Sequence, residues 1–315
     1  MKKCFAFEIA MIAFIFSIQN LAFAEPSPKD SIPQQQNVYQ GIEEITGLKG
    51  TWNDDKTVFK VTHPRSDVKV SVDGWQIPPF MGLTSWVGFQ KNPKGGMMVM
   101  GDFVLFQDEV NPAMTVALEN DLDVTALHNH FFYDEPKVYF MHIVREGNPE
   151  NLALAIRKIL DKIKEIRQKN PEPLKTFGLT HNPEKNSITP KTIEAILRVK
   201  GLSKDGMFKA VIGRNTTMPC NCEAGKDMGV NTWAAFAGAD DHAIVDGDVA
   251  VLESELQPTL KLLRKSNINI VAIHHHMEGE VTRILFLHYW GIGSTTDLAQ
   301  GLRSVIDIQH VTNKP

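Results

Sequence analysis

The sequence lacks an excess of positive charge, and it has very little cysteine. Its 33 lysines and arginines face 37 aspartates and glutamates, which gives a formal net charge of −4. Because nucleic-acid-binding proteins need basic surfaces to neutralise phosphates, this balance argues against a nucleic-acid partner. Apolar residues make up 43% of the chain, enough for the core of one large or two ordinary domains.

The apolar run at the N-terminus is too short to span a bilayer and is typical of a signal peptide. Two lysines open the chain, residues 10–16 are apolar, and Glu8 interrupts the stretch. A small-x-small cleavage site ends at Ala24. These features predict a signal peptide over residues 1–24, cut after Ala24, and hence a periplasmic or secreted protein.

The three cysteines are placed where none can carry a lipid anchor. Cys4 would leave with the leader, and no cysteine closely follows the apolar run, so we predict no stable membrane anchor after cleavage. Cys220 and Cys222 remain, in an oxidising compartment. A disulfide between residues two apart is expected to be strained. The pair could bind a soft metal or act in redox chemistry. The interpretation favoured here is that the two cysteines are an incidental pair in a loop.

One pattern occurs twice, with an offset of 146 residues (His128 to His274) and no gap. It consists of His-x-His, an acidic residue four positions later and a third histidine beyond it. Its members are His128, His130, Asp134 and His142 in the first copy, and His274, His276, Glu280 and His288 in the second. Two copies in one register indicate a duplicated site.

The sequence around the histidines predicts an α+β fold of two tandem similar domains. Each domain is a mainly antiparallel sheet with helices packed on it, in the order β-β-β-α-β-β-α. Two similar halves predict a pseudo-twofold arrangement that resembles a fused homodimer. The predicted divisions are a disordered segment over 25–37, a first repeat domain over 38–162, a linker over 163–187 and a second repeat domain over 188–315.

The two histidines of each His-x-His share one face of a strand, since residues i and i+2 point the same way. A hairpin folded about Pro136 would place His142 beside His130, because cross-strand neighbours lie about 5 Å apart. The second repeat allows the same pairing of His276 with His288. Three imidazoles on one rigid surface indicate a divalent metal site, with zinc the best match and iron, manganese or copper as further candidates.

The acidic residue of each copy, Asp134 or Glu280, lies at the tip of the predicted hairpin. We predict that these carboxylates act as acid–base groups of catalysis or as a fourth ligand, beside a metal-bound water. The predicted metal ligands are His128, His130, His142, His274, His276 and His288.

Other residues that could take part in chemistry are given structural roles. Asp102 and Asp248 each follow a glycine within a strand and are predicted to mark a turn or bulge. Trp86 and Trp233 are predicted to anchor the core. The remaining histidines are predicted to lie on the surface: His63, His181, His242 and His275.

The spacing His-x-His-x₃-Glu is also compatible with a cupin, a jelly-roll barrel. Two features argue against this fold. The glycines that flank a cupin motif are missing, and a helix is predicted immediately before the histidine strand.

Longer stretches of the chain are more specific than the histidines. They are Met81-Gly82-Leu83, Gly101-Asp102, Asp108 to Pro112 and Val124 to His130 in the first repeat, and Asn231 to Gly238 and Phe286 to Gly291 in the second. Together they resemble the LppY/LpqO family, whose repeat is the domain of unknown function 1259, over nearly all of the processed chain. The resemblance implies an exported bacterial protein; some members are lipoproteins, but this chain has no lipobox. It implies no established activity.

Three functions remain open. The first is an exported metal-dependent hydrolase or lyase that acts on an unidentified small molecule or envelope component through a metal-bound water. The second is a non-catalytic periplasmic metal carrier or sensor in which Cys220 and Cys222 help to hold a soft ion such as copper. The third is an envelope-binding module with structural histidines. The sequence also leaves open whether the histidines form two sites or one shared site.

Overall fold

The computed structural model describes residues 32–178 and 185–309 of the chain. The predicted signal peptide, residues 25–31 and His181 lie outside the described residues. The first helix begins at Ile32 and so takes in residues 32–37 of the segment that the composition suggested was disordered. None of the helices within the described ranges is long and apolar enough to cross a membrane.

The described residues contain six α-helices and seventeen strands. The helices are α1 (Ile32–Thr46), α2 (Gln107–Glu119), α3 (Pro149–Lys169), α4 (Pro190–Leu197), α5 (Glu253–Lys265) and α6 (Thr295–Ile308). The strands of the first repeat are β1 (Gly50–Trp52), β2 (Val58–Pro64), β3 (Val70–Val72), β4 (Trp75–Ile77), β5 (Thr84–Lys91), β6 (Met97–Phe106), β7 (Asp123–His128), β8 (Asp134–Glu135) and β9 (Val138–Gly147). Those of the second are β10 (Gly201–Lys204), β11 (Met207–Gly213), β12 (Thr216–Thr217), β13 (Glu223–Ala224), β14 (Asn231–Ala239), β15 (His242–Leu252), β16 (Asn269–His274) and β17 (Ile284–Gly293).

Twelve of the described strands form one antiparallel sheet, in the order β1-β2-β5-β6-β9-β7-β16-β17-β15-β14-β11-β10. Equivalent strands of the two repeats occupy equivalent places when the order is followed inward from either edge. The halves meet where β7 pairs with β16, and the residues that face each other there, Leu127 and Ile273, are themselves 146 positions apart. A pair of equivalent residues marks the pseudo-twofold axis, so the predicted α+β fold of two related repeats is confirmed.

The sheet contains more strands than the predicted order β-β-β-α-β-β-α. Strand β5 buries Ser85, Val87 and Phe89 on one face, but a serine and a glycine within it weaken the apolar alternation that reveals a strand. Helix α3 is also longer than predicted. It continues to Lys169, through the first residues of the predicted linker over 163–187, because Ile163 still faces the core.

Helices cover one face of the main sheet. A single apolar core lies beneath them and runs through both repeats, with members from α1 to α6 and from the sheet. At the seam, two amide side chains complete the backbone hydrogen bonds of the opposite repeat. Asn111 on α2 bonds to both the N–H and the C=O of Ile270, and Gln257 on α5 bonds in the same way to Val124.

The other face of the sheet is covered only at one end of each half. In the first repeat a three-stranded sheet, β4-β3-β8, encloses a small core that includes Phe140. In the second, the β12–β13 pair lies over a small core that includes Phe286. The predicted histidines lie at the border between these small cores and the open part of the face.

Candidate metal centres

In the second repeat, three strands bring a carboxylate and histidines together. Asp248 on β15 faces His288 on β17, and His274 ends β16 on the other side of β17. His274 Nε2 lies 3.1 Å from His276 Nε2, and His276 Nε2 lies 3.5 Å from Asp248 Oδ2. Donor atoms of Asp248, His274 and His276 all lie within 4.8 Å of one another. The His288 ring centroid is 4.8 Å from that of His274.

These separations match the geometry of a zinc site. With Zn–N distances of about 2.0–2.1 Å, two ligands of a tetrahedral ion lie about 3.3 Å apart. The two contacts of His276, at 3.1 and 3.5 Å, lie on either side of this value. Nitrogen and oxygen donors of this kind are those that zinc and related divalent ions prefer.

The first repeat places the equivalent residues on equivalent strands, with a different closest pair. Among the described residues, the set whose donor atoms all lie within 4.8 Å of one another is that of the second repeat. His142 on β9 faces Asp102 on β6, and its Nε2 atom lies 3.1 Å from His128 Nε2. The ring centroids of His128 and His130 are 5.2 Å apart. The sequence predicted His142 beside His130. The observed neighbour is His128. Phe140 lies directly opposite His128, so His142, two residues further along β9, lies diagonally across from His128.

Aromatic packing and a backbone carbonyl hold the rings in place. His130 stacks on Phe140 with 3.3 Å between ring centroids, and His276 stacks on Phe286 at 3.5 Å. His288 Nδ1 lies 3.3 Å from the Gly247 carbonyl oxygen. A bond donated there leaves Nε2 with a free lone pair, the form that binds a metal.

Both aspartates are buried with one oxygen that lacks a partner. Asp102 Oδ1 and Asp248 Oδ1 have no hydrogen-bond partner among the described residues. Burial raises the pKa of each carboxyl group, and the neighbouring histidines offset this only in part. A buried carboxylate oxygen without a partner is costly, and a bound divalent cation would supply the missing positive charge.

Burial and neighbouring rings also keep two of the histidines neutral. The pKa of His274 falls to about 4, first because of burial and then because of His288 and His276. The pKa of His130 is lowered by burial and by His128. Neutral imidazole is the metal-binding form, so protons compete weakly at these two positions.

The acidic residues of the sequence pattern occupy a different place. Asp134 Oδ1 accepts a hydrogen bond from Lys137 Nζ at 2.8 Å, and its Oδ2 accepts one from Val138 N–H at 2.8 Å. Glu280 Oε1 accepts one from Ile284 N–H at 3.3 Å. Each carboxylate thus binds the first backbone N–H of the returning strand and closes the hairpin, which accounts for its fixed spacing. Glu280 Oε2 is buried and has no hydrogen-bond partner among the described residues.

Sequence reasoning missed the carboxylates that do meet the histidines. Asp102 and Asp248 lie in regular stretches of β6 and β15, so the predicted turn or bulge is wrong. The glycine before Asp248 is needed for packing, since a Cβ at Gly247 would lie 2.1 Å from Tyr289 Oη. The signal available was the Gly-Asp pair itself, which recurs at the histidine offset of 146 residues.

In each repeat a tryptophan lies on the strand next to the aspartate, on the side away from the histidines. Trp86 faces Asp102, and Trp233 faces Asp248. Both indoles are half-buried on the open face rather than in the predicted core, and a lysine lies over each. Lys60 Nζ is 4.4 Å from the Trp86 ring centroid, and the lysine of the second repeat is 4.2 Å from that of Trp233.

Comparison with protein families matches both halves of the chain. The family described as Domain of Unknown Function (DUF1259) matches residues 40–162 and 191–308. The chain belongs to this family. The two matches agree with the tandem copies predicted from the sequence. Comparisons with curated proteins and with solved structures find no match to the chain.

Two clefts adjoin the centre of the second DUF1259 repeat. The larger, of about 1210 Å³, includes His276 and Asp248 in its lining. The smaller, of about 540 Å³, includes His288 together with Gln107 and Tyr139 of the first DUF1259 repeat. The second centre is therefore reached from two sides, and one of its walls comes from the other repeat.

The cysteines of the second DUF1259 repeat are joined to each other. Cys220 and Cys222 form a disulfide in the connection between β12 and β13. In this form they offer no thiolate to a metal. A carrier that used these cysteines as ligands would therefore need the pair in its reduced form.

Proposed function

We propose that this protein is an exported metal-dependent hydrolase or lyase with one divalent metal centre in each repeat. The observation that carries the proposal is the convergence of Asp248, His274 and His276 at ligand distances, with Asp248 Oδ1 buried and without a protein partner. Zinc fits the donor set best; iron and manganese also accept histidine and carboxylate ligands.

Taken together, the two copies indicate that each metal centre has three histidine ligands and one aspartate ligand. The first repeat brings the third histidine, His142, to 3.1 Å from His128, whereas the second brings the His-x-His pair, His274 and His276, to the same distance. These contacts lie within a repeat, which supports two centres rather than one shared centre. A metal with such ligands acts as a Lewis acid and lowers the pKa of a bound water.

The surroundings favour catalysis over storage. The larger cleft, of about 1210 Å³, opens beside His276 and has room for a small-molecule substrate or part of an envelope polymer. The acid–base roles expected for Asp134 and Glu280 are not part of this proposal, because both residues bind hairpin backbone.

The first experiment is elemental analysis of the mature protein, purified without chelator or histidine tag. We expect two equivalents of a divalent metal, one for each repeat. The variants His276→Ala and His130→Ala should each lose about half of the bound metal, whereas His275→Ala, an exposed neighbour, should keep all of it. Unchanged metal content in both site variants would contradict the proposal.

A further inference from the structure

A charged and aromatic surface adjoins the metal ligands of the second repeat. Trp233 faces Asp248 across β14 and β15, and Asp248 faces His288 across β15 and β17. Lys209 Nζ lies 4.2 Å from the centroid of the Trp233 ring. A molecule held on Trp233 therefore lies beside the proposed metal centre.

The larger cleft has an apolar lining that suits a ring. Trp233 and Trp290 both line it, and each is half-buried rather than packed in the core. Leu202 and Met207 line it further out and are exposed. Flat, half-exposed indoles next to aliphatic side chains accept the apolar face of a planar or cyclic molecule.

The charges around the cleft favour a negatively charged ligand. Lys200 is paired with Glu194 at 2.7 Å, and Asp248 is assigned to the metal. The charged residues that remain in the lining are Lys204, Lys209, Lys226, Asp227 and Asp246. These three lysines form no ion pair with any described residue. Three ammonium groups against two carboxylates leave one positive charge in excess, and a divalent ion held by Asp248 would add a second, which favours an anionic ligand.

The ammonium over the indole is the natural partner for that anion. The Lys209 side chain is exposed, and its ammonium lies over the Trp233 ring, within the lining of the cleft. The first repeat has the same lysine–tryptophan contact, between Lys60 and Trp86. A contact that occurs in both repeats beside the same aspartate and histidine belongs with the site rather than with the scattered surface charge.

We infer that this cleft binds a ring compound that carries a carboxylate, with the carboxylate on Lys209 beside Trp233 and the ring against Trp290, and that this compound is the substrate of the second centre. The inference rests on the proposed function for the substrate role, but the binding itself needs only the cleft. Sugar acids and aromatic acids share this chemistry.

The test measures binding of two acids and their neutral analogues by calorimetry and tryptophan fluorescence. The acids are a galacturonate trimer and 2-naphthoate; the neutral analogues are a galactose trimer and 2-naphthalenemethanol. We expect one acid to bind at least tenfold more tightly than its analogue. Lys209→Met should lose at least tenfold in affinity for that acid at unchanged metal content. The control Lys261→Met, which removes an exposed lysine on α5, should bind as the unchanged protein does.

The outcomes separate the two proposals. Tighter binding of the galacturonate trimer identifies a sugar acid, and tighter binding of naphthoate identifies an aromatic acid. Equal affinity for acids and neutral analogues, or equal acid affinity in Lys209→Met, would overturn the inference while leaving the metal proposal intact. Acid binding by a protein that takes up no metal would instead overturn the proposed function and the substrate role of the acid.

Discussion

At the scale of single residues, the two aspartates beside the histidines contribute more to the candidate metal centres than the two acidic residues of the histidine pattern do. Asp102 and Asp248 are buried, each has an oxygen without a partner, and each faces a histidine across a strand pair. Asp134 and Glu280, which the spacing made conspicuous, bind the backbone of a hairpin. A fixed spacing in sequence can thus reflect a local turn as well as a shared site.

Replacement of Asp248 by Asn should lower metal affinity without unfolding the protein. Asn keeps the size of the side chain but removes the charge that a divalent ion requires, and loss of one charged ligand costs at least tenfold in affinity. The measurement is competition with a chelating indicator. Asp246→Asn, an exposed neighbour on the same strand, is the matched control, and equal affinity in the two variants would refute a ligand role for Asp248.

The metal-free protein should lose stability as the pH falls from about 6.5 to about 4. His274 has a pKa of about 4 when folded and 6.5 as its ordinary value, so between these limits the unfolded chain binds more protons. Above pH 6.5 the imidazole is neutral in both states and contributes no pH dependence. Urea unfolding between pH 7.5 and 4.5 should show a smaller slope for His274→Gln than for the unchanged protein. Parallel curves would contradict the lowered pKa.

At the scale of elements, the helix that precedes each histidine strand is fixed by a buried ion pair. Glu109 on α2 accepts a hydrogen bond from Phe106 N–H at 2.9 Å and pairs with Arg65 at 2.7 and 2.8 Å. Arg214 and Glu255 make the equivalent pair on α5. The sequence predicted a helix before the histidine strand, but it gave no sign of the arginine partners of Glu109 and Glu255.

Removing one member of the buried pair should be strongly destabilising. Glu109→Gln removes a carboxylate that pairs with the fully buried Arg65 and with Arg167, and leaves Asp67 as the remaining counter-charge of Arg65. We therefore expect a loss toward the lower end of the roughly 3–5 kcal/mol that breaking a buried pair costs. The measurement is the free energy of unfolding in urea. Asp161→Asn breaks the exposed pair with Arg157 and should cost less than about 0.5 kcal/mol. Similar losses in both variants would contradict the assigned burial.

At the scale of the whole molecule, the two repeats form one structure. The described residues from Val38 onward form one compact unit, one sheet crosses the seam and one apolar core underlies both halves. The direct strand pairing at the seam is confined to Leu127 and Ile273 in the described residues. The hydrogen bonds of Asn111 and Gln257 extend the joint on either side of that pair.

These bonds predict that the repeats unfold together. Asn111→Ala would leave the backbone of Ile270 buried without partners, at a cost of about 1–3 kcal/mol, and Gln257→Ala would do the same at Val124. We expect a single urea transition in the unchanged protein by fluorescence and circular dichroism. Two separated transitions, or no loss of stability in either variant, would contradict a joint of this kind.

The sequence by itself determined the duplication, the fold class and the six histidines, because each is encoded by short-range order. Period-two alternation, turn residues and a constant offset of 146 positions are all properties of neighbouring residues in the chain. Such signals place His128 and His130, or His274 and His276, on a strand end, but they do not identify what lies on the next strand.

The tertiary structure decided which carboxylates meet the histidines and how the halves join. Asp248 reaches His276 only through the pairing of β15 with β17, a register between segments far apart in sequence. The seam likewise depends on Asn111 and Ile270, which are 159 positions apart. Contacts between residues so far apart in sequence are determined by the burial of the whole core. The pattern of neighbouring residues therefore does not predict them.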